Sequence, residues 1–227
     1  LMNVGTHLLT NIIKFAGRCR SLEATALTGG HPITPRDVVP SPSGMGTIAG
    51  EHITATLHFD NNVTANLLQH RFPKGDSAGS GLEIYGTEGR LLSKGGGPWW
   101  LPGPHFVPDG EHGWQLLEPI YPESYDPASS AAEGDYWFVE EYVRALDECR
   151  DHECSGAEAH HVAEIMMGIF ESAAYGKRVT LPQERRDHPL LRWRREHGLS
   201  VPGTMPRALA PASPATVGPK RLGARDR

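Results

Sequence analysis

His52-Ile-Thr-Ala-Thr-Leu-His-Phe59, then Asp60-Asn-Asn62, then Val63-Thr-Ala-Asn-Leu-Leu-Gln-His70 is the stretch that settles the fold. Ile53, Ala55, Leu57 and Phe59 alternate with His52, Thr54, Thr56 and His58, the period of two that marks a strand with one buried face. Asp60-Asn61-Asn62 suits a turn with positive φ, so residues 63–70 should return as an antiparallel partner. One face of the hairpin must cover a core. The other, with its Thr and His residues, fits either water or a subunit contact.

Upstream, Leu1-Met-Asn-Val-Gly-Thr-His-Leu-Leu-Thr-Asn-Ile-Ile-Lys-Phe-Ala-Gly17 has helical periodicity. Wound at about 100° per residue, Asn3, His7, Thr10, Asn11 and Lys14 fall within roughly an 80° arc. Val4, Gly5, Leu8, Leu9, Ile12, Ile13, Phe15 and Ala16 fill the opposite side, and Gly17 is placed to stop the helix. Near its start the polar arc holds short polar groups and one imidazole, without the Glu and Lys that usually solvate a helix face. Residues 20–27 alternate as a strand, and the Gly- and Pro-rich residues 29–50 read as a long loop.

Downstream, residues 81–92 read as a second hairpin turning at Thr87-Glu88-Gly89. Residues 94–131 read as irregular, a substrate-side lid or an insertion, with Trp99 and Trp100 either covering substrate or packing the loop. Asp135–Leu146 spaces Phe138, Val139, Tyr142 and Leu146 as one buried helical stripe. Residues 157–175 space Ala159, Val162, Ile165, Met166, Ile169, Phe170 and Ala173 as another. Gly176 closes that helix, and Val179-Thr-Leu181 reads as a short last strand. Arg185, Arg186, Arg192, Arg194 and Arg195 surround Trp193 in a basic, solvated segment, and the Pro- and Ala-rich residues from Ser200 read as disordered. The expected division is one domain over 1–182, then the basic segment and tail over 183–227.

The chain has 227 residues and a net charge of −5, which gives no reason to expect a nucleic-acid partner. Three cysteines, Cys19, Cys149 and Cys154, form no disulfide framework and point to a reducing, cytoplasmic setting. No run approaches the roughly 20 apolar residues of a membrane span. The chain opens inside a helical pattern, as a fragment of a longer protein would.

Three motifs resemble the family of glucose–fructose oxidoreductase, inositol dehydrogenase and MocA proteins. Asn3-Val-Gly-Thr-His7 followed by Thr10 is similar to that family's Asp-x-Gly-x-His-x-x-Asp helix. Ile84-Tyr-Gly-Thr-Glu-Gly89 resembles its hydrophobic-x-Gly-Thr-x-Gly sheet turn, where the glycines would meet positive φ. Phe138-Val139, then Glu171-Ser-Ala-Ala-Tyr-Gly-Lys-Arg-Val-Thr-Leu181, resembles its closing helices and strand. The resemblance implies the C-terminal domain of an oxidoreductase whose N-terminal Rossmann domain, absent here, binds NAD or NADP. It implies a polyol, sugar or similar hydroxylated substrate, and a homo-oligomer formed through the open sheet face. His7 would be the proton acceptor or donor with Asn3 beside it, and Thr10 and Asn11 would contact substrate. Hydride transfer from an alcohol carbon needs the hydroxyl proton to leave, which a group titrating near neutrality serves.

The departures are equally specific. Asn3 and Thr10 stand where the family has carboxylates, and Asn cannot stabilise an imidazolium electrostatically. No Gly-x-Gly-x-x-Gly follows a strand, and the family's Glu-Lys-Pro segment is missing. The chain alone should therefore be inactive. A non-enzymatic sensor or regulator with the same fold is the rival expectation. Cys149, His152 and Cys154 resemble half of a zinc site without a second pair, so no metal is expected. His160 and Glu164, at i and i+4, read as a surface pair. The expected fold is α+β, an open and mainly antiparallel sheet with three helices on one face.

Overall fold

A computed structural model describes residues 1–2, 4–42, 44–70, 81–94, 97–103, 113–118, 120–121, 125–126 and 133–203. The hairpin forms as its alternation requires. Strands β5 (His52–Phe59) and β6 (Thr64–His70) pair antiparallel with His58 opposite Thr64 and His52 opposite His70. Asn62 takes φ 64° in the connecting turn. Strand β1 (Cys19–Thr28) runs antiparallel along the other edge of β5, placing Leu22 opposite Leu57 and Ala26 opposite Ile53. The sheet is completed by β2 (His31–Pro32) and β11 (Val179–Thr180), in the order β11-β1-β5-β6 with β2 also on β1.

The expected long loop is thinner than its composition suggests. Residues 29–50 contain β2, a 3-10 turn at Pro35–Asp37, and the two-stranded pair β3 (Val39–Pro40) and β4 (Thr47–Ile48), with Ile33, Val38 and Ala49 buried. The second hairpin, β7 (Gly81–Tyr85) and β8 (Gly89–Lys94), extends through β9 (Gly97–Pro102) to β10 (Gln115–Leu116) as a four-stranded antiparallel meander. Part of the segment expected to be irregular is therefore sheet. Trp99 and Trp100 lie in β9 opposite Leu92 and Leu91.

Gly89 is needed here for a different reason from the one expected. Neither Gly86 nor Gly89 has positive φ. A Cβ on Gly89 would instead sit 2.3 Å from the Trp100 ring and 2.5 Å from the Leu101 carbonyl oxygen. The turn demands close approach of two strands, which only glycine permits.

Helix α1 (Val4–Ala16) buries Gly5, Leu9, Ile12, Ile13 and Ala16 and ends at Gly17, whose φ is 81° and whose N–H reaches the Ile13 carbonyl at 2.8 Å. Phe15, expected on the apolar side, is 60% exposed, because it continues the row of His7 and Asn11 that no described element covers. Helix α3 (Gly156–Tyr175) lies across β1, with Ile165, Ile169 and Phe170 fully buried. Gly168 lets the two meet closely: a Cβ there would touch the Leu22 side chain at 3.0 Å. The Ser172 hydroxyl then receives the Ala24 N–H at 2.8 Å and donates to the Lys177 carbonyl at 2.7 Å.

Two helical expectations need correction. Helix α2 (Glu133–Asp147) forms, but Phe138, Val139, Tyr142 and Leu146 are 53, 56, 49 and 60% exposed, and Ala145 is its buried apolar residue. An apolar stripe records a face that can be covered, not that a neighbour covers it. The basic segment, conversely, is not simply solvated. Pro189–Glu196 folds as α4 against α3, burying Leu190, Trp193 and Arg192. The packed unit thus runs past residue 182. The three helices sharing the core on the Ile53/Ala55/Leu57/Phe59 side are α1, α3 and α4. Residues 204–227, expected to be disordered, lie outside the described residues.

Arg192 can be buried because its charge is matched. It meets Glu171 at 3.2 Å, Asp187 at 2.8 Å and the Tyr175 hydroxyl at 3.1 Å. Glu171 also accepts from Lys177 at 2.9 Å and from the Gln183 amide at 2.6 Å. The Glu-Ser-Ala-x-x-Gly-Lys motif is therefore an assembly device joining α3, α4 and β1. Ser172→Ala should lower stability by about 1–3 kcal/mol by leaving two backbone groups without their partner, read as a shift in the urea midpoint at constant slope.

Burial alone would raise the Glu171 carboxyl, yet Lys177 and Gln183 outweigh it and hold the group below the ordinary glutamate range. The carboxylate is thus favoured in the fold. Its contribution is complete above the unfolded value, near 4.5, and is lost as pH falls through the lower folded one. Glu171→Gln should flatten the acid limb of a stability–pH curve, and an unaltered limb would remove Glu171 from it.

Candidate active site

The candidate site is built on α1. Its first turn rests on the end of β6: a Cβ on Gly5 would lie 2.9 Å from a Leu1 methyl and 3.3 Å from Gln69 Oε1. Gly5 thus sets how closely the helix approaches the sheet. The Met2 methyl lies beside Gly46 in the β3–β4 turn. The other end of α1 is pinned by Lys14, which donates to the Glu153 carbonyl at 2.7 Å ahead of α3.

Held this way, α1 presents His7 and Asn11 as exposed side chains on successive turns, with Thr10 half-buried beside them. His7 has no hydrogen-bond or ion-pair partner among the described residues. The Thr10 hydroxyl donates to the Thr6 carbonyl at 2.8 Å, which leaves its lone pairs available but commits its proton to its own helix. Asn3 lies outside the described residues. The structure therefore brings together His7, Thr10 and Asn11 on one helix face. The arrangement is an exposed imidazole beside two small polar side chains on one helix face.

The remaining candidates sort out on geometry. His152 accepts the Cys154 N–H at 2.9 Å and its ring packs on Phe138 and Tyr142. No group of three His, Cys, Asp or Glu residues is placed to hold a metal among the described residues. The expected His160–Glu164 surface pair does not form, because His160 is exposed and Glu164 is buried. His161 and Glu164 are 3 and 6% exposed, 4.0 Å apart, and Glu164 is paired with Arg186. Hydropathy could not find them, because both are polar residues on the buried side of α3. Arg186 and Arg194 are likewise engaged, Arg194 capping the carbonyls of Pro35 and Val38 at 3.0 and 3.1 Å.

Comparison with solved structures places the fold. An oxidoreductase from Agrobacterium radiobacter, solved with NAD+, L-tartaric acid and magnesium, matches at TM-score 0.52 and 18% identity over 78% of this chain and 48% of its own. A levoglucosan dehydrogenase bound to NADH and levoglucosan matches at 0.57 and 18%, covering 80% of this chain and 50% of its own. An oxidoreductase domain protein from Kribbella flavida matches at 0.57 and 16%, over 80% and 51%. No sequence-family profile and no curated protein matches the chain. The fold is that of one portion of NAD-binding oxidoreductases. The open, mainly antiparallel α+β fold expected from the sequence is the fold found. The chain spans about half the length of the structures it matches.

The exposure of His7 has a measurable consequence. His7→Ala should change stability by no more than about 0.5 kcal/mol in a urea titration, since it removes a surface side chain without partners. A loss above about 1.5 kcal/mol would mean that the ring is structural.

Proposed function

We propose that the chain is the substrate-facing domain of an NAD(P)-dependent oxidoreductase acting on a polyol, sugar or related hydroxylated small molecule. The observation that supports this most is the placement of His7 on an exposed face of α1, in a fold shared with oxidoreductases solved with NAD+ or NADH and, in one case, levoglucosan. In this reading NAD or NADP is held mainly by a dinucleotide-binding domain that these residues do not form. It would supply the hydride acceptor opposite α1. His7 takes the hydroxyl proton during oxidation and returns it during reduction, Asn3 orients the ring, and Thr10 and Asn11 bind neighbouring hydroxyls. In this reading the chain alone turns nothing over.

The outer sheet face, with Thr54, Thr56 and His58, serves self-association in this proposal. Leu68, 64% exposed and opposite Thr54, gives it an apolar centre. Cys19, Cys149 and Cys154, all free thiols, suit a cytoplasmic location. None of the described helices is long and apolar enough to cross a membrane.

A second reading, a non-enzymatic ligand sensor, is favoured by one feature. With Asn3 and Thr10 in place of carboxylates and the Thr10 proton bonded to Thr6, no acid stands ready among these residues to balance a charged His7. Turnover separates the two. In the protein that joins this domain to its dinucleotide-binding domain, polyol-dependent reduction of NAD or NADP should fall about 10²–10⁴-fold in kcat on His7→Ala. Unchanged turnover would remove His7 from the chemistry. Ligand binding without any turnover would favour the sensor.

A further inference from the structure

One histidine of α3 holds the start of the strand that follows α1. Strand β1 opens with an irregularity: its register against β5 shifts between Cys19 and Ser21. The Cys19 N–H donates to His161 Nε2, on α3, at 3.0 Å. That nitrogen must be unprotonated to accept, so the neutral ring carries its proton on Nδ1. Nδ1 is buried without a hydrogen-bond partner, with the nearest Glu164 oxygen at 4.0 Å. A ring only 3% exposed, with one nitrogen spent on a backbone amide and the other unmatched, is costly to charge.

We propose that His161 is a proton-operated latch: its neutral ring holds the Cys19 amide, and protonation at Nε2 removes that acceptor and frees the junction between α1 and β1. The surroundings bear on both states. Glu158 and Glu164 on α3 favour the charged ring, while Arg18 on the link and His160 on α3 oppose it. Arg186 pairs with Glu164 and so withholds part of that carboxylate's attraction. Asp60, whose N–H bonds the Arg18 carbonyl at 3.1 Å, and the buried Cys19 thiol complete the set of titratable groups at the junction. Burial, the dominant influence, holds the ring below the ordinary imidazole range.

The sign follows. The latch is closed, and its stabilisation complete, above the unfolded imidazole value of about 6.5, and it is lost as pH falls through the lower folded one. Release would loosen the C-terminal anchor of the helix that carries His7. The latch stands whatever reaction the domain serves.

Hydrogen exchange on the full 227-residue chain, resolved at the Cys19 amide and corrected for intrinsic rates, tests it directly. Opening at Cys19 should rise by about tenfold per pH unit between about 6.5 and the folded ring's own value, with Leu57 in mid-sheet as the insensitive control. His161→Gln keeps a neutral acceptor and should abolish that slope. A flat wild-type profile, a slope that survives in His161→Gln, or a His161 ring titrating at or above about 6.5 by NMR would each overturn the proposal. Should the variant not fold, the wild-type exchange profile and ring titration decide alone.

Discussion

The structure depends on how closely α3 can lie on β1. Gly168 removes the one Cβ that would hold the helix off Leu22, and Ser172 then bonds the Ala24 amide from the same helix face. Everything that positions the candidate site is fastened to this seam. Helix α1 packs on α3, α4 packs on α3, and β11 follows α3 back onto β1 at Ser21 and Leu22. An exposed reactive side chain needs such a base. A helix of 13 residues is marginal in water alone, and its orientation comes from the surface it covers.

The core is asymmetric. Leu22, Ala26, Ile53, Ala55, Leu57, Phe59 and Leu67 point to the helices, while Glu23, Thr25, Thr54, Asn66 and the exposed Leu68 line the opposite face. Burial on the helix side includes charge. Glu171 and Arg192 are inside because they neutralise each other and share further partners in Lys177, Asp187 and Gln183. Such pairs add little stability over an apolar filling, but losing one member is costly, which fixes how α4 docks.

Much of this was legible in the residue pattern, and the failures have physical causes. The β5–β6 hairpin was readable because a one-sided core enforces a period of two, and Asn62 because few residues accept its φ. Helix α4 was hidden by its arginines, since composition cannot tell that Arg192 finds Glu171 and Asp187. The α2 stripe was misread because amphipathicity reports a face and not its neighbour. His160 and His161 differ by one position, 100° on a helix, which separates an exposed ring from a buried latch. At the candidate site, the helical periodicity puts His7, Thr10 and Asn11 on one face, as they are found. It could not tell that Thr10 would bond its own helix.

In the proposed function these residues supply an accessible imidazole and a polar helix face, and the electron acceptor is held elsewhere. The most direct test is the position of the His7 ring in a crystal structure of these residues together with the dinucleotide-binding domain proposed for them, with NADH and a polyol bound. A His7 ring nitrogen is expected within hydrogen-bond reach, about 2.6–3.2 Å, of the hydroxyl on the carbon facing the nicotinamide. A substrate bound elsewhere, with His7 still facing solvent, would contradict it.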